Sequence, residues 1–179
     1  QDSLSTAHIY DLSRLLSPGK HRLTIRVDNR MIAEVGINAH SVSDHTQGNW
    51  NGIVGEIGLE TRAPTWIDEV QVYPDLATKT ARVEIRLGNM TGASADGEIE
   101  LRAATKNSEP PRQAAPVNVP ATVRPAGTVV SVNYPLGQDA LPWDEFSPTM
   151  YRLDVKWRGA EGATDAMSAH FGMREVATQ

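Results

Sequence analysis

From Ala81 to Leu87 apolar and charged residues alternate without a break, with Ala81, Val83, Ile85 and Leu87 on one side and Arg82, Glu84 and Arg86 on the other. Successive side chains of an extended chain point to opposite faces, so this run predicts a strand with one buried and one wet face. The same period recurs in "HRLTIRVDN" (Leu23, Ile25, Val27), "GEIELRAAT" (Ile99, Leu101, Ala103), "GTVVSVNYP" (Val130, Val132, Tyr134) and "TMYRLDVKW" (Tyr151, Leu153, Val155, Trp157). In "TWIDEVQVYP" Ile67, Val70 and Val72 fall one residue out of step, which predicts a bulge at Asp68–Glu69. No stretch holds a helical apolar period for about 10 residues. One short helical turn is expected in "YDLSRLLSPGK", capped by Asp11 or Ser13 and ended by Pro18-Gly19. Many short strands punctuated by Gly, Pro, Asn and Asp predict an all-β chain built from sandwiches.

A boundary falls near "ETRAPTW", because Pro64 cannot donate to a ladder and restricts the residue before it. Beyond it, seven strands are expected, at 66–73, 80–88, 97–105, 116–122, 127–134, 149–157 and 164–173. Seven strands over about 110 residues is the count of an immunoglobulin-like sandwich. The polar, proline-containing "NSEPPRQAAP" reads as a loop at one end of it. Residues 1–60 supply about four further strands, few for a closed sandwich, so this part either shares a sheet with the second or is cut short. An open edge and an exposed apolar face would then favour dimerisation. The chain begins at Gln1 and carries no signal-peptide pattern, which suggests a processed or excised piece.

Several functional classes are disfavoured. Lys and Arg are scattered and the net charge is −5, so nucleic acid is a poor partner. No apolar run approaches the roughly 20 residues that span a bilayer, and no membrane partner is expected. The absence of cysteine excludes disulfides and zinc–thiolate sites. Of the five histidines (His8, His21, His40, His45 and His170), His40 and His45 flank Asp44, but two imidazoles and one carboxylate in a turn-like segment fall short of a metal site. Neither a metal nor another cofactor is expected. No G-x-S-x-G elbow or phosphate-cradling glycine loop is present. Asp68 and Glu69 are strand neighbours that face opposite ways, and Asp144 and Glu145 sit in a loop, so neither pair suits glycoside hydrolysis on spacing alone. Trp66 and Trp157 read as core or sheet packing, and Trp143 as a plug at a sandwich end. Trp50 differs, because it lies in a polar run with Gln47, Asn49 and Asn51. An aromatic face beside amides suits the C–H face and hydroxyls of a sugar ring, although a structural plug is the plainer reading.

Four motifs in order resemble family 2 glycoside hydrolases. "YDLSRLLSPGKHRLTIRVDN" is similar to that family's Tyr-Asp-Leu turn, Gly-Lys turn and Val-Asp-Asn strand, through Tyr10, Asp11, Leu12, Gly19, Lys20, Leu23, Ile25, Val27, Asp28 and Asn29, with His21 where Asn is usual. "NWNGIVGEIGLETRAPTWIDEVQVYPD" resembles the end of the family's sugar-binding sandwich and the start of its immunoglobulin-like domain, through Gly52, Ile53, Leu59, Pro64, Ile67, Val70 and Val72. "FSPTMYRLDVKW" is similar to its late Asn-Pro-x-Leu-Tyr strand, with Ser147 in place of the Asn. "HFGMREV" resembles the strand leading into its catalytic barrel.

The resemblance implies the C-terminal part of a sugar-binding jelly roll over 1–62 and an immunoglobulin-like sandwich over 63–176. It implies a catalytic (β/α)₈ barrel elsewhere in the same polypeptide as their partner. The family's acid/base glutamate follows an asparagine on the barrel; this chain has no Asn-Glu dipeptide, so no catalytic residue is expected in it. The parent would be a retaining glycosidase of the β-galactosidase, β-glucuronidase or β-mannosidase kind, and this chain alone would be inactive. The resemblance also puts Asp44, His45, Gln47, Asn49, Trp50 and Asn51 beside the sugar, in the loop that walls the subsite for the non-reducing end. Carbohydrate would bind only in the full-length enzyme. The compartment stays open, with bacterial periplasm or secretion expected for such a parent. The competing readings are a stand-alone β-sandwich interaction or adhesion module and a carbohydrate-binding module; the low aromatic content, 6%, speaks against the latter.

Overall fold

A computed structural model describes residues 7–28, 36–40, 52–53 and 55–175. The chain divides into two units, Gln1–Gly58 and Leu59–Gln179.

In the first unit the expected turn forms. The amides of Leu15 and Leu16 donate to the Leu12 carbonyl, at 2.9 and 3.1 Å, and the Asp11 carboxylate accepts the Ser13 N–H at 2.8 Å. The strand expected over 21–29 is corrected: its described residues, 21–28, carry no ladder, and Leu23, Ile25 and Val27 are 66, 49 and 50% exposed. Period-2 alternation offers an apolar face but supplies no partner, and a strand exists only where another strand takes its backbone groups.

The second unit is a seven-stranded antiparallel sandwich: β1 Thr65–Asp75, β2 Thr80–Asn89, β3 Ala95–Thr105, β4 Val117–Val123, β5 Thr128–Pro135, β6 Met150–Gly159 and β7 Thr164–Gly172. One sheet has the order β1-β2-β5 and the other β4-β3-β6-β7. The count and all seven positions agree with those expected from the sequence. In β2 every residue of the set Ala81, Val83, Ile85 and Leu87 is at most 1% exposed, and the facing set in β6, Tyr151, Leu153, Val155 and Trp157, is buried as well. A one-residue slip would turn either set to water, so the buried face fixes the register. The register of β1 against β2 shifts between Ile67 and Glu69, which is the bulge that the broken alternation predicts. In a constant-type immunoglobulin sandwich the fourth strand lies on the sheet of the first two; here β4 pairs with β3.

Two glycines make room for indoles. Trp157 is fully buried and lies over Gly97, and Trp66 covers Gly88 on the outer face; a Cβ at either glycine would collide with the ring. Asn89, 8% exposed, knots the turn after β2: its amide donates to the carbonyls of Ala93 and Val123, and its oxygen accepts from the N–H and hydroxyl of Thr91.

The chain enters β1 at one pole of the sandwich and leaves β7 at the opposite one. Connections 90–94, 124–127 and 160–163 lie at the incoming pole; the longer 106–116 and 136–149 lie at the outgoing pole with 76–79.

Candidate functional site

The six residues expected near a sugar, Asp44, His45, Gln47, Asn49, Trp50 and Asn51, lie outside the described residues. Among the described residues no group of three or more His, Cys, Asp or Glu could hold a metal ion.

Three of the four carboxylates weighed from the sequence, Asp68, Glu69 and Asp144, have structural partners, and Glu145 is exposed. Asp68, exposed at the bulge, accepts the Trp66 indole N–H at 3.3 Å and lies 3.8 Å from Arg62. Glu69 pairs with Arg86 at 3.4 Å. Asp144 accepts the amides of Phe146 and Ser147, at 2.8 and 2.6 Å, and so closes a turn. Asp68 and Glu69 thus tie neighbouring side chains, and Asp144 holds local backbone.

Two shallow clefts open on the sandwich. A cleft of about 320 Å³ is lined by Glu60, Thr61, Arg62, Ile67, Asp165 and Met167. In it Asp165 accepts the amides of Ile67 at 2.8 Å and Ala166 at 2.9 Å, while Arg62 reaches Glu60 and the Ile67 carbonyl at 3.4 Å. The acid and the guanidinium therefore tie the segment before β1 to β1, and β1 to β7. The second cleft, about 270 Å³, lies at the outgoing pole between loops 106–116 and 136–149. Arg112 donates there to the Asp139 carbonyl at 2.8 Å. Asp165, Arg62 and Arg112 in these clefts are bonded to backbone, an arrangement that holds loops in place.

Three residues matter in ways the alternation does not reveal. Tyr151, second in β6, accepts the Leu141 N–H at 2.7 Å through its phenol and stacks on Phe171 at 5.3 Å. A tyrosine that starts this strand and bonds back to the preceding loop is the corner found in immunoglobulin sandwiches. Tyr134, fully buried, accepts the Ala103 N–H at 3.0 Å and donates to the Ala115 carbonyl at 2.9 Å, joining the two sheets; burial pushes its phenol pKa up, against the opposing Ala103 hydrogen bond. Glu100 is 4% exposed on the wet face because Arg102 and Arg158 close over it. The hydrogen bond from Arg102, more than the charges around it, lowers its pKa. A charged residue at an outward position is what the period predicts, so only the neighbouring strand could reveal that this one is enclosed.

Trp143 is the expected plug at the outgoing pole. It is half-buried, packs on Gly172, donates its amide to the Met173 carbonyl at 2.9 Å and lies 4.7 Å beneath the Arg174 guanidinium. A phenylalanine three residues on, Phe146, is 88% exposed.

The sequence has no match among curated proteins. Among solved structures it is similar to a family 2 β-galacturonidase from Eisenbergiella tayi, solved with galacturonate bound, at 23% identity and a TM-score of 0.54, covering 66% of this chain and 20% of that one. A glycosyl hydrolase family 2 member from Bacteroides cellulosilyticus gives 18% identity and a TM-score of 0.54, covering 65% of this chain and 16% of that one. The chain thus spans a fifth or less of the length of these structures, and at such identities they establish the fold alone. The family model described as glycosyl hydrolases family 2 matches residues 65–174, the extent of the seven-stranded sandwich. That match covers more than half of the sequence, and the chain belongs to glycosyl hydrolases family 2.

Proposed function

We propose that this chain supplies non-catalytic β domains of a retaining glycoside hydrolase. Residues 63–176 act as an immunoglobulin-like spacer that positions a (β/α)₈ catalytic barrel in the same polypeptide. Residues 1–62 are the end of a sugar-binding jelly roll, and its loop with Asp44, His45, Gln47, Asn49, Trp50 and Asn51 walls part of the barrel's sugar site. The observation that carries this reading is the coincidence of the family match with a closed sandwich whose incoming and outgoing strands lie at opposite poles. A domain of that form sets a fixed distance between the segments attached at its two ends. Arg62, Asp165 and Arg112 in its clefts are bonded to backbone, which fits a spacer.

In the full-length enzyme two barrel carboxylates about 5 Å apart would carry the chemistry. The 179-residue chain presents one wall of such a site and no acid/base pair, so it is inactive alone. Exposed apolar side chains of the first unit, Leu15 and Leu23 among them, would favour self-association of the isolated chain; light scattering reads this directly.

The test is hydrolysis of aryl β-galactosides, β-glucuronides, β-galacturonides and β-mannosides by the full-length polypeptide, with the 179-residue chain beside it. Cleavage by the former alone is expected. Inactivity of the full-length polypeptide on every sugar would overturn the reading in favour of an interaction or adhesion module.

A further inference from the structure

Phe146 has the highest exposure among the described large hydrophobic residues, 88%, yet it stands on a turn that is tightly built. Asp144 caps the turn by accepting the Phe146 and Ser147 amides. Trp143 and Pro148 close its base by a β-bridge. On one side, the side-chain amide of Asn107 donates to the Pro148 carbonyl at 2.7 Å, and its oxygen accepts the Met150 N–H at 2.8 Å. On the other, Trp143 is bound to Met173 and covered by Arg174. An aromatic side chain held out on a mobile loop would cost entropy to dock; one held on a braced turn is already ordered, and most of its area remains to be buried.

We infer that Phe146 is the anchor by which the sandwich docks onto the catalytic barrel of the same polypeptide, an inference that rests on the function proposed above. Three observations select this occupant. The turn is braced against residues 172–174, the segment by which the chain leaves β7, so Phe146 stands beside the outgoing backbone. The two longest connections of the sandwich, 106–116 and 136–149, gather at this pole, where binding surfaces are carried by loops on a rigid scaffold. Asp144 and Glu145 on the turn itself and Arg174 over the ring of Trp143 put charge of both signs beside the phenylalanine, the composition of a polar rim around an apolar centre.

Hydroxyl-radical footprinting of Phe146, in the 179-residue chain and in the full-length enzyme, tests this. Oxidation at Phe146 is expected to fall several-fold in the full-length enzyme, with Met90, half-exposed at the incoming pole, as the internal reference. Phe146→Ala is expected to leave the melting temperature of the 179-residue chain within about 1 °C, since an exposed side chain makes few contacts. The same substitution should lower the temperature at which the full-length enzyme loses activity by several degrees. Equal oxidation of Phe146 in both forms of an active enzyme would overturn the docking while leaving the proposed function intact. Protection in a full-length polypeptide that cleaves no glycoside would overturn both. Conversion of a dimer of the 179-residue chain to a monomer by Phe146→Ala would overturn the barrel as occupant and assign the anchor to a second copy instead.

Discussion

The indole N–H of Trp157, on β6, donates to the hydroxyl of Thr65, on β1, at 2.9 Å, and both residues are at most 2% exposed. The bond joins the two sheets at the incoming pole and spans 92 positions of sequence. Thr65→Val keeps the shape and leaves a buried donor unpaired, so unfolding free energy should fall by about 1–3 kcal/mol. Gly97→Ala places a methyl group against the same ring and should cost about 1–3 kcal/mol by overpacking. Urea midpoints at unchanged m-value check both; an unaffected midpoint for either would show that the indole is not held as described.

Tyr151→Phe removes the acceptor for the Leu141 amide and keeps the stack on Phe171. A loss of about 1–2 kcal/mol is expected, together with faster amide exchange at Leu141. Exchange unchanged at that amide would count against the corner.

Acid should weaken the sandwich through Glu100. Its folded pKa is lowered by the Arg102 hydrogen bond. A carboxylate with a depressed pKa adds stability that is fully present above its unfolded value, about 4, and is lost as pH falls through the folded one. Stability profiled against pH should therefore decline below about pH 4, and Glu100→Gln should flatten that decline while lowering stability at neutral pH. A variant with the same acid slope as the unaltered chain would exclude this carboxylate as the source.

Alkali should act through Tyr134, whose phenol pKa is raised by burial. Its contribution is intact below the ordinary phenol value, about 10, and is lost as pH rises toward the folded value. Tyr134→Phe should remove the alkaline loss seen by circular dichroism above about pH 10, and should cost about 1–3 kcal/mol at neutral pH by orphaning the Ala103 donor.

On the proposed function, Trp50→Ala in the full-length enzyme should raise KM about tenfold, the loss of one stacking contact of about 1.4 kcal/mol. The effect on kcat should be smaller. A kcat/KM equal to that of the unaltered enzyme would remove Trp50 from the sugar site.

The positions of all seven strands, the period of β2, β3, β5 and β6, the bulge at Asp68 and much of the inward set that forms the core were legible in the amino-acid sequence. These are local consequences of an extended backbone whose side chains alternate, and they appear wherever a partner strand exists. Partnering is where the local signal ends. "HRLTIRVDN" alternates as cleanly as "ARVEIRLGN", yet the latter is paired on both sides, by β1 and β5, and the described residues of the former, 21–28, carry no ladder. The choice of β3 over β5 as neighbour of β4, the enclosure of Glu100 by Arg102 and Arg158, and the reach of the Tyr151 and Tyr134 hydroxyls came from tertiary packing. Each depends on a backbone group or side chain brought close from another part of the chain. The same holds for Phe146, one apolar residue in a polar loop by sequence, whose rigid presentation comes from Asn107, Trp143 and Arg174 packing around the turn.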